Sequence, residues 1–184
     1  MRMAALLVFL LLAGCGRSPF HMTGISGAMP RLDFRMTRVA DGMPVTGADY
    51  RGKVVALYFG YTNCPDVCPT TLTDLSHMLE QVKSSDVRVL FVSVDPNRDT
   101  PEALAHYTSA FSSQIDGLRG GEEALADLAR RYRVAYSVDP APPYTVMHSN
   151  AVFFFDRDGR ARLVTTDTSN TAAMAEDVER LLRK

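Results

Sequence analysis

The sequence has few cysteines, and this scarcity excludes the usual structural zinc site. Only three cysteines occur among the 184 residues, and only Cys64 and Cys68 lie close together. Structural zinc is held by four ligands, and there is no second cysteine pair to complete such a set. The two thiols therefore leave three interpretations open: a redox pair, a site for an ion with fewer ligands, or a short structural disulfide.

Runs of positive charge are also missing. The chain carries 20 Lys and Arg against 21 Asp and Glu, a formal net charge of −1. No run of Lys and Arg is longer than a pair. Proteins that bind nucleic acid concentrate these residues in a patch or stripe. Nucleic acid is therefore not expected as a partner.

The apolar run at the amino terminus is too short to span a bilayer. It follows Arg2 and ends in Leu-Ala-Gly-Cys at Cys15, a pattern that resembles the bacterial lipobox of lipoprotein signals. We therefore expect residues 1–14 to be a signal peptide, and residues 15–30 to be a lipidated amino terminus and flexible tether. Residues 31–184 would form one domain. The expected location is the periplasmic side of a bacterial envelope, anchored in the inner membrane through lipid on Cys15.

Short, apolar, β-branched runs predict the centre of a β-sheet. Residues 53–59 (KVVALYF) and 87–94 (VRVLFVSV) are almost wholly apolar, as in strands that are covered on both faces. Between them, apolar residues recur every three or four positions, which predicts a helix over Pro69–Lys83. Such a βαβ unit is right-handed by rule.

The rest of the chain completes an α/β pattern. Apolar and polar residues alternate from Leu32 to Thr37, which predicts a strand at the start of the domain. The order of predicted elements fits a thioredoxin-like fold: a central mixed β-sheet flanked by helices, with an N-terminal strand extension. The later elements are a helix that Thr100 caps, a helix over Glu122–Tyr132, a hairpin of Ala151–Phe155 with Ala161–Thr165, and a helix over Thr171–Arg183.

Cys64 and Cys68 lie in the loop between the first central strand and its helix. A proline follows each of them and disfavours the α conformation in the residue before it, so we expect both cysteines outside regular helix. Cys68 would then cap the helix and face the positive end of its dipole, which favours a thiolate. A disulfide closing so short a loop would add little stability. A redox pair and a metal site both stay open.

A metal site needs a further ligand, and the histidines are the candidates. Two thiolates select copper(I) or zinc, and copper(I) accepts three ligands. His21 falls in the tether and His77 and His106 fall within helices, positions typical of solvated or packed side chains. His148 follows the irregular stretch 139–147, so a loop can carry it over the end of the sheet.

Several separated motifs together resemble the Sco/SenC family. The resemblance covers the chain from about Leu32 to its end, and it implies a membrane-tethered protein of thioredoxin fold. It also implies that Cys64, Cys68 and His148 bind copper for assembly of the binuclear copper site of cytochrome c oxidase. The implied partners are the copper-site subunit of that oxidase and other copper carriers. The motifs are YFGYT at 58–62, CPDVCP at 64–69, VSVDP at 92–96, RDTP at 98–101 and HS at 148–149.

The resemblance assigns further roles near this site. Asp95, Arg98 and Asp99 match the family and are expected to support the site without binding the ion. Many relatives carry an aspartate before the histidine, whereas Met147 stands here. Our hypothesis is that Met147 shifts the preference of the site toward copper(I), either as a weak soft contact or by making the site less negative.

Two functions follow from the same residues. In the first, the reduced pair and His148 hold one copper ion and release it to a partner, and oxidation to a disulfide gates the loading. In the second, Cys64 and Cys68 are the redox-active pair of a thiol–disulfide oxidoreductase that acts on exported protein thiols without an obligatory metal. A peroxiredoxin-like enzyme is a weaker third possibility, because the paired prolines and the distal histidine argue against it.

Overall fold

The fold is described from a computed structural model of the chain, which describes residues 20–183. The expected signal peptide and Cys15 lie outside these residues. The strands are β1 (Thr23–Gly24), β2 (Arg35–Arg38), β3 (Met43–Thr46), β4 (Val54–Gly60), β5 (Val87–Ser93), β6 (Ile115–Arg119), β7 (Tyr136–Asp139), β8 (Thr145–His148), β9 (Val152–Phe155) and β10 (Ala161–Thr165). The helices are α1 (Val67–Val82), α2 (Pro101–Ser109), α3 (Glu122–Arg131) and α4 (Thr171–Leu182), with a 3-10 turn at Gly47–Tyr50.

Eight strands form one mixed sheet in the order β1-β10-β9-β4-β5-β6-β2-β3. Strand β5 runs parallel to β4 and β6, and the other pairs are antiparallel. Every residue of β4 is buried, and so is nearly all of β5, which is why their sequences are apolar on both faces. The predicted central strands and the predicted thioredoxin-like arrangement are confirmed.

Helices flank this sheet, with α1 packed against α4 and α2 packed against β6. The side chain of Thr100 accepts a hydrogen bond from the amide of Ala103, as expected for the residue that caps α2. Within residues 20–183, no helix is both long and apolar enough to cross a membrane.

Strand β6 was not predicted from the sequence, although it lies inside the sheet. Its sequence, IDGLR, contains an aspartate and a glycine, both of which are depleted in strands. The buried Asp116 accepts hydrogen bonds from Tyr50 and Arg88. At Gly117 a Cβ atom would lie 2.9 Å from a methyl carbon of Val39, so glycine is required by close packing. Tertiary contacts, which no local pattern reports, make this segment a strand.

The expectation of a flexible tether does not hold for residues 20–30. Strand β1 pairs with β10 at the edge of the sheet, and Met22 is buried. The buried carboxylate of Asp177 on α4 accepts hydrogen bonds from the backbone amides of His21 and Met22. The polar backbone of this glycine- and serine-containing segment is therefore satisfied by contacts distant in sequence, and the domain begins earlier than residue 31.

Candidate metal centre

The cysteine segment leaves the sheet at the end of β4 and enters α1. Cys64 is half-buried in the loop, whereas Cys68 is fully buried in the first turn of the helix. The expectation that both cysteines lie outside regular helix is therefore wrong for Cys68. Pro69 causes no conflict, because the first amides of a helix have no partner within the helix. Asp66 takes the capping position instead.

Gly60, the last residue of β4, makes room for the Cys68 side chain. A Cβ atom at this position would lie 2.9 Å from the Cys68 sulfur and 2.6 Å from the ring of Phe91. Any larger residue would have to displace one of these groups, and both are buried. The sulfur atom is therefore packed into the end of the central sheet.

His148 is the last residue of β8, which pairs with β7 in a separate two-stranded sheet. The stretch 139–147, interpreted as irregular, thus contains the end of β7, the turn and most of β8, in a hairpin in which His148 lies opposite Tyr136. The sequence obscured the hairpin because three prolines, at 140, 142 and 143, occupy its turn. The histidine is carried by a paired strand instead of a loop.

The hairpin brings the imidazole of His148 onto the cysteine segment. Its Nε2 atom lies 3.3 Å from the Cys68 sulfur, and its Nδ1 atom lies 3.0 Å from the carbonyl oxygen of Ser149. A carbonyl oxygen can only accept a hydrogen bond, so Nδ1 carries the proton. The lone pair of Nε2 then faces the sulfur atoms, the orientation that a metal ligand requires.

The donor atoms of Cys64, Cys68 and His148 all lie within 4.8 Å of one another. This span is close to twice a metal–sulfur bond length, which is about 2.3 Å for zinc. Two sulfurs and one imidazole nitrogen are soft donors of the kind that select copper(I) or zinc. Within residues 20–183, these three side chains are the group of histidines, cysteines and carboxylates that could hold a metal ion. The set fits a three-coordinate soft ion.

The two thiols differ in their electrostatic environments. Burial raises the pKa of Cys68 to about 12. Burial also acts against a thiolate at Cys64, but hydrogen bonds from the backbone amides of Cys68 and Asp66 outweigh it and hold the Cys64 pKa below its ordinary value. The predicted favourable position at the helix start therefore benefits Cys64, whereas burial dominates at Cys68. Desolvation lowers the pKa of His148, which keeps the imidazole neutral.

Aromatic rings enclose the imidazole. Tyr61 meets the ring of His148 edge-on at a centroid distance of 5.8 Å, and Tyr58 does so at 6.1 Å. Tyr58 is fully buried, whereas Tyr61 lies at the rim beside Cys64. These rings restrict the imidazole on two sides and leave the side near Cys64 open to a groove. The imidazole can therefore be reached through the groove beside Cys64.

The predicted supporting residues hold both segments of the site. The buried carboxylate of Asp99 accepts hydrogen bonds at 2.6 Å from the hydroxyls of Thr62 and Ser93, which fixes the start of the cysteine segment. The buried carboxylate of Asp95 accepts a hydrogen bond at 2.7 Å from the hydroxyl of Tyr144, just before β8. Sequence analysis missed Tyr144, because its partner is 49 positions away.

The remaining histidines lie away from the three donors, as expected. His77 and His106 are exposed on α1 and α2. His21 is exposed as well, and its imidazole lies 3.0 Å from a carboxylate oxygen of Glu176. These positions agree with the interpretation of all three as surface side chains.

Proteins of known structure share this fold. ScoI from Arabidopsis thaliana with copper bound is 31% identical, with a TM-score of 0.75 over 83% of this chain and 98% of that one. ScoI from Bradyrhizobium japonicum with copper bound is 35% identical, with a TM-score of 0.74 over 82% and 98%. The bovine mitochondrial protein SCO2 homolog is 39% identical over 74% of this chain and 53% of its own length. The chain spans about half the length of the curated relatives it matches.

The comparisons correct the expected location in a bacterial envelope. The bovine relative, like others that match, is named as a mitochondrial protein. The expectation depended on one short segment at residues 1–15, outside the described residues. An apolar stretch that ends in small residues is a local sequence pattern, and the folded domain does not show in which membrane the protein lies.

The family assignment draws on nearly the whole folded part of the chain. A family model described as SCO1/SenC matches residues 28–183, a range that includes both cysteines and His148. This range also contains the Asp95–Asp99 loop that supports the site. The chain belongs to the SCO1/SenC family.

Proposed function

We propose that this chain is a copper metallochaperone that assists assembly of the binuclear copper site of cytochrome c oxidase. The observation that carries the proposal is the convergence of Cys64, Cys68 and His148 across 80 positions of sequence. The copper-bound structures of related ScoI proteins support copper as the cargo. The copper-site subunit of the oxidase is the proposed acceptor, and the single folded domain that includes β1 carries the activity.

Each ligand has a defined task in this proposal. Cys68 is a buried thiol that loses its proton when the ion binds, since metals bind thiolates. Cys64 is more accessible and can be the first donor that an incoming or departing ion meets. His148 supplies a neutral nitrogen from the separate hairpin. Oxidation of both thiols to a disulfide releases two protons and two electrons and removes two of the three donors, so loading depends on redox state.

Copper stoichiometry of the purified protein tests the proposal. We expect one copper(I) per reduced chain, and loss of tight binding after oxidation of the pair and in Cys64→Ser, Cys68→Ser and His148→Ala. The third cysteine offers a matched control, since Cys15→Ser should bind like the native chain. Stoichiometric binding that survives all three ligand substitutions would contradict the proposed site.

A thiol–disulfide oxidoreductase is the second candidate function. It is favoured by the asymmetry of the pair, in which an accessible Cys64 with a lowered pKa precedes a buried Cys68. This arrangement suits an attacking and a resolving thiol. His148→Ala separates the two functions. A metallochaperone loses copper affinity in this variant, whereas an oxidoreductase keeps its rate of disulfide exchange with a model substrate.

A further inference from the structure

The guanidinium group of Arg98 lies between two tyrosines that belong to the two ligand-bearing segments. Its central carbon is 3.8 Å from the ring centroid of Tyr144 and 5.9 Å from that of Tyr61. Tyr61 belongs to the cysteine segment, and Tyr144 directly precedes β8, the strand that ends in His148. A planar cation can interact with an aromatic ring on each of its faces. One side chain thus contacts both halves of the metal site.

Asp95 completes the contact with the hairpin. Its carboxylate is fully buried, forms an ion pair with Arg98 through one oxygen, and accepts the hydroxyl hydrogen of Tyr144 at the other. Tyr144 is therefore held at its ring by Arg98 and at its hydroxyl by Asp95. Because Asp95 and Arg98 lie in the loop after central strand β5, they connect the hairpin to the main sheet.

The hairpin depends on such side-chain contacts for its position. Strands β7 and β8 form a two-stranded sheet apart from the eight-stranded one. An isolated two-stranded hairpin is marginally stable in water. Its backbone pairing fixes the relative positions of its own two strands, but not their position relative to the cysteines. After His148 the chain enters β9 of the main sheet within four residues, and at the other end of β8 Tyr144 is joined to that sheet through Asp95 and Arg98. The contacts of Tyr144 therefore help to set the distance between the imidazole and the sulfurs.

We infer that Arg98 is a positioning residue, which holds the His148 hairpin and the cysteine segment at the separation that copper(I) binding requires. This inference rests on the proposed function, because it assigns the residue that sets the affinity of the same site. Arg98 does not touch the ion. It acts through Tyr144 on the placement of His148, so its effect must vanish when the imidazole is absent.

The test compares Arg98→Lys with the native chain in copper(I) competition against a chromophoric chelator. Lysine keeps the charge beside Asp95 but lacks the planar face that contacts the two rings. We expect a loss of about 10- to 100-fold in affinity, the range for groups that orient metal ligands. Arg130→Lys is the matched control, since Arg130 also pairs with an aspartate three positions away but on the exposed face of α3. Tyr144→Leu breaks the same contact from the hairpin side, should Arg98→Lys fold poorly.

A double-mutant cycle with His148→Ala makes the result specific. We expect Arg98→Lys to have no further effect on the residual affinity in that background. Unchanged affinity in Arg98→Lys and Tyr144→Leu would overturn the inference. An equal loss with and without the imidazole would also overturn it, because it would show that Arg98 acts on the thiols or on overall stability.

A measurement without copper separates this inference from the proposed function. Amide hydrogen exchange of the reduced apoprotein should be faster in Arg98→Lys at Ser137 and Met147, which oppose each other as a hydrogen-bonded pair of the hairpin, and unchanged in β4 and β5. If the native chain binds no copper(I), the proposed function fails, and faster hairpin exchange still supports a positioning role. Native exchange rates in the hairpin of the variant would overturn that role.

Discussion

The two halves of the metal site are built in different ways. The cysteine segment continues the central strand β4 into α1, and its inner sulfur is packed against Gly60 in the core. His148 instead ends a hairpin that forms its own small sheet and is joined to the main one by residues 149–151 and by side-chain contacts such as that of Tyr144 with Asp95. The thiols are therefore held as firmly as the fold itself, whereas the imidazole is held by a few contacts.

Because of this difference, the two segments need different amounts of free energy to be displaced. Local opening of a segment needs only the free energy of the contacts that hold it, while displacement of a core group needs the free energy of global unfolding. A copper carrier requires donors that assemble and then release the ion. In this site the imidazole is the donor that can move away from the others. Substitutions in the two segments should therefore have different consequences.

Loss of the Asp99 anchor should have the largest effect on the fold. Its buried carboxylate accepts hydrogen bonds from Thr62 and Ser93. Hydrogen bonds to a charged group contribute about 1.5–3 kcal/mol each, and a buried donor left without a partner costs more. We expect Asp99→Asn to lower the free energy of unfolding by about 3 kcal/mol, measured by urea denaturation with an unchanged slope.

Two other variants provide a comparison for the loss of stability expected in Asp99→Asn. Asp127→Asn removes an exposed carboxylate that pairs with Arg130, and it should change stability by about 0.5 kcal/mol or less. Tyr144→Phe removes one hydrogen bond to the Asp95 carboxylate, which keeps its ion pair with Arg98, and should cost about 1.5 kcal/mol. If Tyr144→Phe destabilised the whole protein as much as Asp99→Asn, the distinction between the two segments would fail.

Gly60→Ala tests how tightly the inner sulfur is packed. The new methyl group would lie within 3 Å of the Cys68 sulfur and of the Phe91 ring. Overpacking of a core typically costs about 1–3 kcal/mol, so we expect a loss of about 2 kcal/mol in stability together with weaker copper binding. Gly24→Ala is the control, because a Cβ atom there meets nothing within 4 Å. Native copper affinity in a stable Gly60→Ala protein would show that the sulfur position is adaptable.

The two thiols of the reduced apoprotein should react at different rates with iodoacetamide. Cys64 is half-buried and its pKa is lowered, so more of it is thiolate near neutral pH, whereas burial raises the Cys68 pKa to about 12. We expect Cys64 to react at least about tenfold faster, measured by mass spectrometry of the alkylated peptides. In urea the two rates should converge. Equal rates in the folded protein would mean that Cys68 is accessible and not part of the core.

The sequence was sufficient to predict those parts of the fold whose signals are local. Strands β4 and β5 were predicted because they are short, continuous apolar runs, and helix α1 because its apolar residues recur every three or four positions. The pair Cys64 and Cys68 was recognisable because its spacing is short. The participation of His148 needed the resemblance to a family, since no periodicity relates positions 80 residues apart.

The elements of the fold and site that the sequence did not predict depend on contacts between residues far apart in the chain. The hairpin β7–β8 was hidden by prolines in its turn, and the contact between Asp95 and Tyr144 joins positions 49 residues apart. The ordered path of residues 20–24 depends on Asp177, which lies 155 positions after Met22. In each case a buried polar group is satisfied by a partner that the local sequence does not identify.

Met147→Asp should produce the smallest effect, on the preference of the site between copper oxidation states. Met147 is 70% exposed on β8 and lines the groove that Cys64 and His148 also line. The substitution tests whether the charge at position 147 affects which copper ion the site prefers. An added carboxylate attracts the doubly charged ion more, and an exposed charge contributes about 0.2–1 kcal/mol. We expect copper(II) affinity to rise relative to copper(I) by up to about fivefold, less at high salt. Met43→Asp is the control, since Met43 is similarly exposed but lies on the edge strand β3. An unchanged ratio in Met147→Asp would show that this position has no influence on the metal site.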